Sequence, residues 1–103
     1  MIQITYSDEH VRIEGHAGYA PAGSDIVCAA VSALAETFVM SMQDMTNDII
    51  SVEDDTGLMD IKLGPLSERG TVLMRAFLLG ADAIAFEYPD YVSLGTAGRD
   101  VRP

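Results

Sequence analysis

The segment Ile2-Gln3-Ile4-Thr5-Tyr6-Ser7-Asp8-Glu9-His10-Val11-Arg12-Ile13-Glu14 alternates with a period of two on either side of a polar break. Ile2, Ile4 and Tyr6 face one way against Gln3 and Thr5. After Ser7 to His10 the alternation resumes with Val11 and Ile13 against Arg12 and Glu14. This pattern predicts a β-hairpin with one apolar and one wet face, and places His10 in the polar turn as a surface residue. A sheet that is apolar on one side needs a second layer, so the rest of the chain is read for helices that can supply it.

Working outward, His16 follows at the end of the second strand, and Ala17 to Gly23 carries Gly18, Pro21 and Gly23, which predicts a loop. Ser24 and Asp25 supply cap chemistry for a helix from Ile26 to about Met45, a stretch without internal Gly or Pro. At about 100° per residue, Val27, Val31, Leu34, Ala35, Phe38, Met42 and Met45 share one face. Asp25, Ser32, Glu36 and Gln43 form a polar stripe beside it, with Cys28 on the border. Two further strands, Ile49 to Val52 and Leu58 to Leu63, are joined through the turn signal Asp54-Asp55-Thr56-Gly57. Gly64-Pro65 ends that hairpin, and Ser67 can cap a second helix from Glu68 to about Glu87, with Pro89 as its stop.

This second helix is apolar on two sides. Leu73, Phe77 and Ile84 gather on one, and Val72, Leu79, Ala83 and Phe86 on the other. Tyr91 to Leu94 reads as a short fifth strand and Gly95 to Pro103 as a loose tail. The order ββαββαβ implies an α+β fold, a two-layer sandwich in which both helices cover one face of a mainly antiparallel sheet. Such a sandwich leaves the second helix partly uncovered, and a homodimer is the ordinary remedy.

The chain has 103 residues, one domain's worth, and 49% of them are hydrophobic, enough to build a core. Six Lys and Arg against sixteen Asp and Glu give a net charge of −10. That balance opposes contact with nucleic-acid phosphates or anionic lipid and favours a basic protein partner. The uncharged run Ile26 to Ala35 is stopped by Glu36 short of a membrane span, and the N-terminus lacks the pattern of a secretory signal. A single cysteine excludes an internal disulfide, and one Cys with two His cannot form a Cys-rich zinc site. A cytoplasmic protein without metal or other cofactor is expected. The glycines of GHAGYAPAG lack the Lys and Ser/Thr of a phosphate loop, and Glu53-Asp54-Asp55 reads as an exposed hairpin tip.

Cys28 on its own reads as a small buried hydrophobe, but it stands in the first turn of a helix, where free N–H groups and the helix dipole favour thiolate. It also lies at the edge of the apolar face, and the Gly/Pro loop can fold back to bring the His16 imidazole to the thiol. Asp25 is a helix cap that can also orient His16 or a backbone N–H; Ser32, one turn after Cys28, either lines a cleft or bonds back to its own helix. Gly18 and Gly23 are candidate hinges of the loop. Backbone N–H groups at the start of the helix are the natural oxyanion donors.

The stretch GHAGYAPAGSDIVCAAVSAL resembles the signature of the bacterial ribosomal-processing cysteine proteases, the Prp family: Gly-His-Ala, a Gly-bearing loop, then Asp-Ile-Val-Cys-Ala and a following Ser. Leu79-Gly80, Ile84 and Tyr88-Pro89-Asp90-Tyr91-Val92 are similar to its C-terminal half. The resemblance implies a dyad of His16 as base and Cys28 as nucleophile that removes the N-terminal extension of a basic large-subunit ribosomal protein. It also implies a homodimer with a mobile loop, here Ala17 to Gly23, over the site. The residues alone leave a second reading open, a non-catalytic acidic dimeric binding module associated with a ribosomal protein or ribosome assembly. A redox-sensing thiol is the weaker third, because the chain holds no resolving cysteine.

Overall fold

The computed structural model describes residues 1–96. Its elements run β1 (Ile2–Ser7), β2 (His10–Glu14), α1 (Ile26–Met45), β3 (Ile50–Asp55), β4 (Leu58–Leu63), α2 (Glu68–Glu87) and β5 (Val92–Thr96). The predicted α+β order ββαββαβ is the observed one, and the strands form one five-stranded sheet in the order β3-β4-β2-β1-β5. The two hairpins β1–β2 and β3–β4 are joined by antiparallel pairing of β2 with β4, in which Ile13 faces Met59 and Glu14 faces Leu58. β5 lies parallel to β1, pairing Ile2 with Val92 and Thr5 with Gly95, so the sheet is mixed. Gly95 and Thr96, read above as the start of the tail, extend β5. The rest of the predicted tail lies outside the described residues.

Both helices take their bounds from their caps. Asp25 caps α1, and Ser67 caps α2 by accepting the Gly70 N–H at 3.1 Å. The Ser67 hydroxyl is itself fixed by donating to Asp48 Oδ2 at 2.9 Å. The core lies between the helices and one face of the sheet: Ile4, Val11 and Ile61 from the strands meet Val27, Val31, Ala35, Phe38 and Met42 of α1 and Met74, Phe77 and Ala81 of α2. The helices touch through the Phe38 and Phe77 rings, 5.1 Å apart, an aromatic pair worth about 0.5–1.5 kcal/mol beyond its burial.

Several sequence expectations need correction. Ile49 is exposed before β3, and β3 runs on through Asp55, leaving Thr56-Gly57 as the turn. Met45, the last residue of α1, is half exposed and not part of the buried face. His10 is not in the β1–β2 turn. It opens β2 and hydrogen-bonds the buried Asp60 of β4, which Arg12 also approaches at 3.7 Å. The pairing of β2 with β4 brings a carboxylate to it that the hairpin alone does not contain. On α2, Val72, Leu79 and Phe86 stand 62%, 72% and 85% exposed, and Ala76 and Ala83 continue the same stripe. The apolar side predicted to lack a partner is uncovered in the single chain.

Candidate active site

Cys28 sits in the first turn of α1, whose start is organised by the Asp25 carboxylate. Oδ1 accepts the N–H groups of Val27 at 3.0 Å and Cys28 at 2.9 Å. Oδ2 reaches back to the preceding loop and accepts those of Tyr19 at 3.0 Å and Ala20 at 3.4 Å. One side chain thus ties the loop to the turn that carries the thiol. These bonds, the Cys28 N–H first among them, hold the Asp25 carboxyl below the usual carboxylate range against the opposing effect of desolvation. The loop has a second anchor in the Tyr19 ring, which meets Tyr88 and Tyr91 edge to face at centroid distances of 5.7 and 5.2 Å.

The Cys28 thiol is half-buried, and its Sγ accepts the N–H of Ala17 at 3.3 Å. His16, exposed at the end of the chain segment leaving β2, is therefore one residue from the backbone donor that touches the sulfur. A cleft of about 540 Å³ is lined by His16, Gly18, Gly23, Asp25, Cys28 and Ser32, bringing together all six residues singled out in the sequence. Ser32 is exposed on its rim. Its hydroxyl makes no hydrogen bond among the described residues, so the alternative of bonding back to its own helix is not the one seen.

A second, adjoining cavity of about 180 Å³ also opens on His16, Cys28 and Ser32 and continues past Glu36 of α1 to Asp54 and Asp55 of β3. Three carboxylates line it and no Lys or Arg does. Of the acidic stretch Glu53-Asp54-Asp55, exposed as the sequence predicts, Asp54 and Asp55 also border this cavity. Among the described residues no cluster of three His, Cys, Asp or Glu is placed to hold a metal ion.

The turn after β3 is the part of the site that sequence reasoning missed. Gly57 accepts the Gly15 N–H at 2.8 Å, which extends the β2–β4 pairing up to His16. The imidazole lies against it: a methyl group on Gly57 would stand 2.8 Å from Nε2 and 3.4 Å from both Cδ2 and Cε1. At the start of α1 most of the backbone donors are already engaged. The Val27 and Cys28 N–H groups are occupied by Asp25 Oδ1 and that of Ala29 by the Asp25 carbonyl, which leaves Ile26 alone in the first turn without a partner among the described residues.

Such an arrangement, a half-buried thiol and an imidazole lining the same open cleft, suits nucleophilic attack on a carbonyl. The family model for cysteine protease Prp matches residues 1–93. The ribosomal processing cysteine protease Prp of Mycoplasma pneumoniae is 26% identical over 102 residues, covering 97% of this chain and 99% of its own. Among solved structures, the essential ribosomal processing protease Prp of S. aureus, in complex with a covalently linked product peptide, superimposes with a TM-score of 0.84 at 25% identity over 92% of this chain and 96% of that one. The protein SMU.848 from Streptococcus mutans gives 0.80 at 34% identity over 93% of each chain.

Proposed function

The chain belongs to the cysteine protease Prp family, and on that premise we propose that it removes the N-terminal extension of a large-subunit ribosomal protein with Cys28 as nucleophile and His16 as base. Membership of a family of ribosomal processing cysteine proteases makes it an enzyme and sets aside the non-catalytic binding module. The observation that carries the assignment of residues is the shared cleft: the chain's one cysteine and His16 line the same two cavities.

In this reading His16 takes the Cys28 proton and Sγ attacks the scissile carbonyl carbon. The C–N bond breaks as His16 returns the proton to the leaving amine, which leaves a thioester on Cys28. Water, deprotonated by His16, then attacks that carbonyl. The C–S bond breaks, the acid product departs and the thiol is restored. The Ala17 N–H, directed at Sγ in the resting protein, is a donor within reach of the oxygen that becomes negative, whereas most of the helix-start donors are engaged by Asp25. Asp25 and Ser32 support the cleft, and Gly18 and Gly23, both in the left-handed region, shape the loop that walls it.

The net charge of −10 and the acidic wall of the smaller cavity favour a basic polypeptide as substrate. The uncovered stripe on α2 favours a homodimer, and a ribosomal substrate favours a cytoplasmic site of action. Incubation of the purified protein with a peptide spanning the extension junction tests the chemistry. One cut and a transient acyl adduct on Cys28 by intact-mass spectrometry are expected; an uncut peptide with no adduct contradicts the proposal.

A further inference from the structure

We infer that Gly57, in the β3–β4 turn, is a positioning residue for His16: the space left by its missing side chain is the seat of the imidazole tip. The inference rests on the reading of His16 as the base. Its observations are independent of the motif around Cys28, because Gly57 comes from a different hairpin.

Two features single out this glycine. Its φ is +73°, a conformation that L side chains rarely adopt, and a methyl group there would meet Nε2 at 2.8 Å. Nε2 is the nearest ring atom, with Cδ2 and Cε1 equally distant behind it, so the ring points tip-first into the glycine. The turn is also held to the chain that carries His16, through the Gly15 N–H to Gly57 carbonyl bond of 2.8 Å. Gly15 is itself confined, since a methyl group on it would collide with the Met1 carbonyl. His16 makes no hydrogen bond to a described residue, which leaves packing against Gly57 as a contact that fixes where its ring stands.

Ordinary contact requires about 3.4 Å or more, so a side chain at 57 displaces the ring by at least about 0.6 Å or turns it. A displacement of 1 Å in a reacting group can cost about a hundredfold in rate. Gly57→Ala is therefore expected to lower kcat about ten- to a hundredfold, with KM for the junction peptide within about twofold. Gly57→Asn separates backbone strain from the seat, because Asn tolerates the left-handed region while still bearing a Cβ.

The test compares kcat, KM, melting temperature and the pH profile of Cys28 alkylation by iodoacetamide in wild type, Gly57→Ala, Gly57→Asn and His16→Ala. The expected result is that Gly57→Asn melts above Gly57→Ala yet stays slow, and that both shift the alkylation profile toward that of His16→Ala. Wild-type kcat in Gly57→Ala overturns the inference, as does a kcat in Gly57→Asn that recovers together with melting temperature. If His16→Ala itself retains full kcat, the role of His16 as base fails, and that outcome is distinct from an active Gly57→Ala beside an inactive His16→Ala.

Discussion

Replacing Leu79 by Glu tests the idea that the uncovered stripe on α2 is a dimer contact. Leu79 lies at its centre, between Val72 and Phe86, and is 72% exposed in the single chain. Complete burial of a leucine side chain is worth about 1.5–3 kcal/mol, so covering the exposed part contributes about 1–2 kcal/mol per protomer. A two-fold interface counts each residue twice, which makes the loss about 2–4 kcal/mol, before the cost of burying a carboxylate is added. At 1.4 kcal/mol per tenfold, the dimer dissociation constant should rise by about thirty- to a thousandfold or more. Within the monomer the substitution sits on an exposed helix surface, where changes are usually within about 0.5 kcal/mol, so the melting profile at high dilution should barely move. Sedimentation velocity across a micromolar concentration series reads the result. Wild type should sediment as a dimer at low micromolar concentration and the variant as a monomer. A wild-type protein monomeric throughout, or a variant that dimerises as tightly as wild type, refutes the reasoning.

Asp25→Ala should free the loop and the start of α1 together, increasing hydrogen exchange at the Tyr19 and Ala20 amides and lowering kcat, because four N–H groups lose one acceptor. Since the folded Asp25 carboxyl titrates below its ordinary value of 3.8, its stabilising effect is present above that value and lost as pH falls through the folded one. The wild-type advantage in melting temperature, a few degrees near neutrality, should therefore shrink in acid below about pH 3.8, and a difference that persists there would show another cause. Raising salt should increase the apparent KM several-fold for a full-length basic substrate but little for a short neutral junction peptide, because steering by a net charge of −10 is screened. Superimposable salt dependences would remove charge from the account of recognition.

The parts of the fold governed by neighbours in sequence were legible. Both helices begin after the capping residues Asp25 and Ser67 and end where the sequence reading set them, at Met45 and Glu87. The first hairpin follows from alternation and the second from its turn signal, although β3 runs on through Asp55. What alternation does not encode is which hairpin edge meets which, and the pairing of β2 with β4 accounts for the main surprises. It gives His10 a buried partner in Asp60 and lays the Thr56-Gly57 turn beside His16. The reach of β5 through Gly95 has a similar origin: glycine lowers strand propensity locally, but parallel pairing with Thr5 carries the strand on.

The site divides the same way. Cys28, His16 and Asp25 fall within one short stretch whose loop folds back on its own helix, so their neighbourhood could be read from the chain. The acidic cavity wall of Asp54 and Asp55 comes from another hairpin and could not. Which of the helix-start N–H groups stay free was not legible either, for an electrostatic reason. A helix start offers free N–H groups, but the aspartate that favours the helix also engages those of Val27 and Cys28.

The central claim, that Cys28 and His16 carry out peptide cleavage at this cleft, is tested most directly by time-resolved mass spectrometry of a ribosomal protein bearing its N-terminal extension. The substrate is mixed with wild type, Cys28→Ala or His16→Ala, and circular dichroism verifies the fold of each. Wild type should release the extension in one cut, and both variants should be folded and inactive, since neither loses a large buried side chain. Cleavage by Cys28→Ala at the wild-type rate would contradict the account.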